Sequence, residues 1–365
     1  MRWCIYALGG GLGHLVRSLG LARAAIARGH HVTLLANTAY APLLPVQAEL
    51  DASEGAPKLT RSVSEGDSTR DLQAPSLTLR VSKPVLKLSL GEFITIPASF
   101  DRGQVTEFVH QTLRNQSFDA LIVDTFPRGL AGELAELLPS LPGKKVLVHR
   151  DLNPHYVEQA DLALFVEHYD LLISPGELGP LANRKQVHVT APWLIRDFDE
   201  LLDQHSAWKK LRIERTDLPV IAVIAAGFPA EAQAMQTLAE RLAHETRDRA
   251  NIRLITLNQS TELRNPLAIN LWPTLSAIRG INLLIGAGGY NTVWEARSTQ
   301  TPLIAINRPR LYDRQETRLT DIERTPDESS AFARAMSWHE AHKNIPRAEV
   351  PAYENGTHDA VRNIE

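Results

Sequence analysis

A glycine turn followed by a hydroxyl and a carboxylate at helical spacing is the stretch best suited to bind a ligand. Gly288 and Gly289 form the turn, and Thr292 and Glu295 follow it three residues apart, on one side of a predicted helix. Apolar runs on either side predict two buried parallel strands. Glycine lets the backbone approach a ligand closely, and the free amides of a helix start favour an anion. The turn therefore predicts a site for a diphosphate, although a tight strand-to-helix turn would also contain these glycines.

A histidine and an aspartate form a second candidate pair. His14 ends a glycine-rich loop that follows the apolar run 2–8, and Asp124 ends the apolar run 120–124. Both lie at the carboxyl ends of predicted parallel strands, where ligands bind in open α/β sheets. Histidine suits a general base near neutral pH, and a carboxylate on its other nitrogen would fix the tautomer. The alternatives are a turn residue for His14 and a helix-capping acid for Asp124.

Two familiar phosphate-binding loops do not fit residues 9–14. A dinucleotide fingerprint beginning Gly9-x-Gly11 needs a third glycine at position 14, which is histidine. The second strand ends at Asn37, with no acid for a ribose diol. A P-loop needs Gly-Lys-Ser or Gly-Lys-Thr, which this loop lacks.

The elements that must position these residues alternate between strand and helix. This alternation predicts two doubly wound α/β sheets. We expect about six strands in the first half, including 2–8, 31–36 and 120–124, and a helix from the turn at 125–129 to Leu138. The predicted domain limits are 1–195 for the N-terminal domain, 196–217 for a charged linker and 218–365 for the C-terminal domain. Helices are also predicted at 329–342 and 355–364.

Residues 50–116 give a weaker signal than the rest of the chain. The polar, glycine-containing stretch 53–76 predicts a loop. The segments 85–96 and 107–114 fit helix or strand equally well.

Composition excludes several classes of protein. The 365 residues suffice for two domains. The net charge of −3 lacks the basic excess that is typical of nucleic-acid-binding proteins. A single cysteine, Cys4, excludes an internal disulfide framework and a multi-cysteine zinc site. No clustered acids or histidine spacing suggest a metal, and no apolar run approaches the length of a membrane span. The N-terminal run continues directly into glycines, so we expect no signal peptide and a cytoplasmic enzyme.

The stretch 288–315 resembles the donor-binding signature of nucleotide-sugar glycosyltransferases with the GT-B fold. The similar group is family 28, which includes the N-acetylglucosaminyltransferase of peptidoglycan synthesis. Its pattern is a glycine turn, Thr-Val-x-Glu, a proline before a strand, and Asp-Arg-Gln. Here the matching residues are Gly288-Gly289-Tyr290-Asn291-Thr292-Val293-Trp294-Glu295, Pro302 and Asp313-Arg314-Gln315.

The resemblance implies a role for each candidate residue. Glu295 would hold the ribose diol, and Asp313 and Gln315 the hydroxyls of the donor sugar, with Glu316 in place of the relatives' second Gln. His14 would face the acceptor, and the strand end at 120–126 resembles the one that supplies the supporting acid in plant small-molecule glycosyltransferases. The remaining donor-binding candidates are Gly11, Gly13, Gly227, Trp272, Gly288, Gly289 and Thr292. Relatives are richer in Gly and Ser around Gly227, and Trp272 could equally be a core residue.

The resemblance also implies the fold and the reaction. Two Rossmann-like domains would face each other across a cleft, and the last helix would return to the first domain, as it often does in this fold. The expected enzyme is an inverting glycosyltransferase that moves a sugar from a nucleotide-diphosphate donor, with UDP as the expected carrier, to a small-molecule or lipid-linked hydroxyl acceptor. It would need no cofactor beyond that co-substrate. The alternatives are a nucleotide-sugar 2-epimerase of the same fold and a non-catalytic partner protein that kept the fold.

Overall fold

Two wholly parallel β-sheets with helices on their faces make up the chain, as seen in a computed structural model that describes residues 1–9, 11–37, 44–54, 90–97, 99–182, 187–342 and 348–365. The first sheet has seven strands, which pair in the order β3-β2-β1-β4-β5-β6-β7. They are β1 (Arg2–Ala7), β2 (His31–Ala36), β3 (Gly91–Thr95), β4 (Ala120–Asp124), β5 (Lys144–Val148), β6 (Leu171–Pro175) and β7 (Val187–Thr190).

The second sheet has six strands in the order β10-β9-β8-β11-β12-β13. They are β8 (Val220–Ala225), β9 (Asn251–Thr256), β10 (Ala268–Asn270), β11 (Leu283–Ala287), β12 (Leu303–Ile306) and β13 (Glu323–Thr325). In each sheet the strand order reverses beside the first strand, between β1 and β4 and between β8 and β11. Such switch points are where open parallel sheets bind ligands at their carboxyl edge.

The helices cover the faces of the sheets. They are α1 (Leu12–Ala27), α2 (Val46–Glu54), α3 (Arg102–Asn115), α4 (Pro154–Gln159), α5 (Leu162–Phe165), α6 (Gln204–Lys210), α7 (Pro229–Thr246), α8 (Gln259–Arg264), α9 (Tyr290–Ser298), α10 (Gln315–Arg318), α11 (Glu328–His342) and α12 (Gly356–Ile364). Short 3-10 helices occur at Leu138–Ser140, Val166–His168, Phe198–Glu200 and Thr274–Gly280.

Burial on both faces explains why the strands are continuous apolar runs. In β1, Trp3 and Ile5 pack into one core cluster while Cys4 and Tyr6 pack into another on the opposite face. The first of these clusters extends through both sheets, and a third covers the outer face of the second sheet. The two sheets are therefore joined by shared apolar packing.

The last helix lies against the first sheet. Glu365, next to the end of α12, pairs with Arg28 at 2.6 Å, and Lys144 Nζ donates to the carbonyl of Asn363 at 2.8 Å. These contacts connect the end of the chain to its first half. The exact domain limits, 1–195, 196–217 and 218–365, stay a prediction.

The structure differs from the sequence-based predictions at two places in the first half of the chain. The helix predicted to end at Leu138 is absent; turns lead instead to a 3-10 helix, because Gly129 and Gly132 take left-handed φ angles of +81° and +90° that end helical continuity. The carboxylate of Glu133 accepts the backbone amide of Ala131 at 2.7 Å and holds this turn. The first sheet has seven strands because the undecided stretch 85–96 contains β3.

Residues 55–76 of the predicted polar loop lie outside the described residues. Among the helices that the structure describes, none is long and apolar enough to cross a bilayer.

Candidate functional site

Two glycine turns lie at the carboxyl edges of the sheets, one after β1 and one after β11. Gly11 is the N-cap of α1 and Gly289 that of α9, and neither helix has a side-chain cap or an acid in its first turn. A Cβ on Gly11, Gly13 or Gly289 would meet no atom within 4 Å. The space beside the Cα atoms of these glycines is therefore open at both helix starts.

His14 and Asp124 are in direct contact, as the sequence predicted. His14 Nδ1 lies 2.6 Å from Oδ2 of Asp124, the last residue of β4. An ionised carboxylate only accepts hydrogen bonds, so Nδ1 carries a proton, and in the neutral imidazole Nε2 then has the free lone pair. Asp124 is fully buried, and burial would raise its pKa, but the charge of Arg17 and the hydrogen bond from His14 lower it to about 2. The acid is therefore ionised at neutral pH.

Arg17 is a site residue that the sequence reasoning missed. It lies one helical turn after His14 in α1 and is 1% exposed. Its Nε and Nη2 donate to Asp124 Oδ1 at 2.9 and 2.7 Å, and Nη2 also reaches Oδ2 at 2.6 Å and Thr125 Oγ1 at 3.0 Å. Its i+3 spacing from His14, which puts the two side chains on one side of α1, was the available signal.

Gly9 is a second residue that was missed. A Cβ on Gly9 would lie 2.1 Å from Cδ2 and 2.5 Å from Nε2 of His14, so only glycine leaves room for this imidazole. The ring of Phe126 stacks on the His14 ring with 5.4 Å between their centroids, and Tyr312 meets Phe126 edge-on at 5.3 Å. The imidazole is thus held between backbone and aromatic rings.

Glu295 lies in α9, one turn after the turn residues. It is 8% exposed, and burial raises the pKa of its carboxyl to about 8. The part of the chain that the structure describes supplies no hydrogen-bond donor to this carboxylate. Thr292, one turn earlier, has its methyl group against Gly286, where a Cβ would approach it to 3.2 Å.

Gly288 has both sides of its backbone engaged. Its amide donates to the carbonyl of Ile306 at 3.1 Å, and its carbonyl accepts from Arg318 Nη1 at 3.2 Å. A Cβ there would lie 2.7 Å from Leu319, so close packing requires glycine. The amides left free for a ligand therefore begin at Gly289.

Asp313 and Gln315 lie beside this turn, and both already have protein partners. Asp313 pairs with Arg318 at 2.7 Å, and Gln315 Oε1 accepts the amide of Arg308 at 2.9 Å. Burial would raise the pKa of Asp313, but the charges of Arg150 and Arg318 lower it below its usual value. The carboxylate is ionised before any ligand binds.

Charged side chains link the edges of the two sheets. Glu177 pairs with Arg150 at 2.8 Å and with Arg318 at 2.7 Å. The ring of Tyr290, the first residue of α9, lies 5.0 Å from the guanidinium of Arg17 and 4.4 Å from that of Arg150. The His14 side and the Asp313 side are thus connected through Tyr290.

Gly227 and Trp272 occupy other parts of the second sheet's edge. Gly227, after β8, has φ +105°, and a Cβ would lie 2.2 Å from Glu231 Oε2. Glu231 accepts the amide of Phe228 at 3.1 Å and pairs with Arg310 at 2.7 Å, so a protein carboxylate already lies at this helix start. Trp272 follows β10 and packs, half-buried, against the core that spans both sheets.

Within the described ranges no group of three acids, histidines or cysteines could hold a metal ion.

Comparisons with known proteins identify the fold. No protein-family model matches the chain, and no curated protein matches it. Among solved structures, it is similar to the glycotransferase of kitacinnamycin, at 15% identity and a TM-score of 0.56 over 100% of this chain and 98% of that one. It is also similar to Streptomyces sp. SF2575 glycosyltransferase SsfS6 complexed with thymidine diphosphate, at 13% identity and 0.56 over 100% and 99%.

A third similar structure has another activity in its name. It is a putative UDP-N-acetylglucosamine 2-epimerase from Listeria monocytogenes, at 12% identity and a TM-score of 0.58 over 99% of this chain and 94% of that one. The likeness runs over both sheets in all three cases. The chain therefore has the GT-B fold, with two Rossmann-like α/β units, as its sequence motifs predicted.

Proposed function

We propose that the chain is an inverting glycosyltransferase that moves a sugar from a nucleotide-diphosphate donor to a hydroxyl acceptor, with His14 as general base. The observation that carries the proposal is the contact of 2.6 Å between His14 Nδ1 and Asp124 Oδ2. It leaves Nε2 free to accept a proton at the edge of the first sheet. A base is what an acceptor hydroxyl needs in order to attack a sugar carbon.

The proposed reaction is a single displacement. The acceptor oxygen forms a bond to the anomeric carbon while its proton passes to His14 Nε2, and the bond from that carbon to the diphosphate oxygen breaks. Asp124 stabilises the imidazolium that forms. The free amides at the start of α9 offset the charge that develops on the leaving diphosphate.

The donor side of the proposal depends on α9. Glu295 would accept hydrogen bonds from the two ribose hydroxyls, and a buried carboxyl that lacks a donor among the described residues suits that role. Asp313 and Gln315 would face the donor sugar, Trp272 the base, and Gly11, Gly13, Gly227, Gly289 and Thr292 the diphosphate. We propose a UDP-linked donor. Thymidine diphosphate is the nucleotide named with one similar structure and a UDP-sugar is named with another, so both carriers belong in the test.

A nucleotide-sugar 2-epimerase is the second candidate, and the similarity to the Listeria monocytogenes structure favours it. An epimerase would convert the nucleotide sugar without an acceptor. A transferase releases nucleoside diphosphate only when an acceptor is present. A non-catalytic protein that kept the fold would do neither, and measurable donor binding would speak against it.

A screen of nucleotide sugars by thermal stabilisation is the first experiment. A bound donor raises the free energy of unfolding by RT ln(1 + [L]/Kd), so UDP-sugars and TDP-sugars at equal concentration can be ranked directly. The best donor is then incubated with panels of small-molecule and lipid-linked hydroxyl acceptors, and released nucleoside diphosphate is measured. Acceptor-dependent release supports transfer, whereas acceptor-independent change at the sugar supports the epimerase.

Metal independence and a cytoplasmic location belong to the same proposal. Turnover that is unchanged by a chelator would support a diphosphate held by amides rather than by an ion. Turnover lost with the chelator and restored by a divalent cation would contradict it.

A further inference from the structure

Arg17 connects the supporting acid of the proposed base with the first residue of the donor-side helix. Its guanidinium contacts both oxygens of Asp124, and its third partner is the hydroxyl of Thr125. Its flat face lies 5.0 Å from the ring of Tyr290. Nη1 is buried and has no hydrogen-bond partner among the described residues.

A purely structural role accounts poorly for such a pair. Replacing a buried ion pair with apolar side chains of similar size is often neutral or stabilising, so burial of Arg17 is weak support for stability alone. Its geometry, however, fixes the carboxylate in the orientation in which Oδ2 reaches His14. An arginine fork does this better than any other side chain because two donors meet two oxygens.

The charge of Arg17 has a second consequence. Asp124 carries one negative charge, which it shares between Arg17 and the imidazole of His14. The other charged or titratable groups that face Arg17 are Arg150 and the phenol of Tyr290. Arg17 supplies the positive charge that offsets this carboxylate. Without it, an uncompensated buried carboxylate would hold His14 in its protonated form.

We propose that Arg17 is a positioning residue for the base: it aims the Asp124 carboxylate at His14 and opposes the pull of that carboxylate on a proton of the imidazole. The kinetic part of this proposal rests on the proposed transferase function. The electrostatic part concerns His14 and Asp124 alone and can be measured without a donor or an acceptor.

The test compares Arg17→Gln with Arg23→Gln. Arg23 lies in the same helix and pairs with Glu49 at 2.5 Å, away from Asp124, so its variant controls for a lost ion pair in α1. The midpoint of the His14 titration is followed by NMR and assigned among the 13 histidines with His14→Gln. We expect it to rise by about one pH unit in Arg17→Gln and to stay unchanged in Arg23→Gln. An unchanged midpoint in folded Arg17→Gln would overturn the proposal.

Arg17→Lys provides the test if the glutamine variant does not fold. Lysine keeps the charge but offers a point contact instead of a fork. The titration midpoint should stay at the wild-type pH while kcat falls at least about tenfold and the donor KM is unchanged. Wild-type kcat in Arg17→Lys would overturn the positioning role. If the wild-type protein transfers no sugar, the transferase function fails, and the NMR titration still decides the role of Arg17.

Discussion

Two of the buried carboxylates, Asp124 in the first half of the chain and Glu295 in the second, have opposite surroundings. Asp124, at the edge of the first sheet, accepts hydrogen bonds from His14 and Arg17, and these partners overcome burial and lower its pKa to about 2. Glu295, in the helix at the edge of the second sheet, has no such partner among the described residues, and burial raises its pKa to about 8. One acid is ionised and fixed; the other is protonated at neutral pH.

The difference matches the separate roles that we propose for the two carboxylates: Asp124 supports the base, and Glu295 binds the donor. A paired carboxylate is already organised before substrate binds, as a group that supports a base should be. A carboxyl without a protein partner, such as Glu295, can gain hydrogen-bond donors from a ligand, so its pKa should change on binding. The predictions below test this contrast, beginning with the largest effect.

Removal of the proposed base should have the largest effect. His14→Ala should lower turnover by about 10²–10⁴-fold while donor affinity stays near the wild-type value, because the base acts in the transition state. Asp124→Asn should cost no more turnover than His14→Ala. The double variant should be little worse than His14→Ala, since residues that act as a unit are not additive. Steady-state kinetics and donor titration measure these effects.

An exposed histidine provides the control for this experiment. His205→Ala, in α6, should leave both quantities unchanged. If His14→Ala keeps wild-type turnover with the identified acceptor, His14 is not the base.

Loss of the paired acid should also weaken the fold. Asp124→Asn leaves Arg17 buried without a counter-charge, and breaking a buried pair in this way costs about 3–5 kcal/mol of the free energy of unfolding. Denaturant unfolding of both proteins gives the difference. Asp217→Asn removes an exposed ion pair with Arg215 and should leave stability unchanged. Equal stability of Asp124→Asn and wild type would show that the ion pair between Arg17 and Asp124 contributes nothing to the free energy of unfolding.

The apolar strands could be predicted because burial on both faces makes each of them a short apolar run, whereas β3 was left undecided and the polar strand β13 was not predicted. Prediction failed at the helix expected before Leu138, where Gly129 and Gly132 take left-handed conformations and Glu133 holds the turn. Those features arise from contacts between distant segments, such as that of Glu133 with Tyr6 of β1. Periodicity within a window does not contain that information.

The candidate site also combines residues that local sequence could predict with residues that only tertiary contacts explain. His14 and Asp124 could be paired in advance because adjacent parallel strands end at one edge of a sheet. Arg17 could not be assigned, since an arginine in a helix is usually solvent-exposed and only the buried acid explains its place here. Gly9 is required by the position of the His14 ring, which depends on tertiary packing. Asp313 is a site candidate from its motif alone, and its ion pair with Arg318 was not predicted.

Donor binding should depend on the unpaired acid. Glu295→Ala should weaken nucleotide binding by about 1.5–3 kcal/mol, the scale of a hydrogen bond to a charged group. Calorimetric titration with the diphosphate identified in the screen measures it. The unfolding midpoint should not fall, because no partner among the described residues loses a contact. Unchanged affinity in the folded variant would contradict the ribose assignment and leave Glu295 as a buried helix acid.

A pH dependence of nucleotide affinity should be the smallest effect and the most specific to the contrast between the two acids. Ribose hydroxyls donate to an ionised carboxylate, whereas the free protein holds Glu295 protonated below pH about 8. Binding at neutral pH must therefore release a proton, and affinity rises with pH until the carboxyl is ionised. Between about pH 7 and about pH 9 the gain should be about tenfold, or about 1.4 kcal/mol.

This pH dependence of nucleotide affinity distinguishes Glu295 from Asp124. Asp124 is ionised throughout this range, so it contributes no slope. Glu295→Gln keeps the shape of the side chain but cannot titrate, so the Glu295 part of the slope should vanish. The difference between the wild type and the variant cancels the titration of the nucleotide's own phosphate. Calorimetry in buffers of different ionisation enthalpy should show close to one more proton released by the wild type than by Glu295→Gln at neutral pH. Equal slopes in the two proteins would mean that the ribose hydroxyls bind elsewhere.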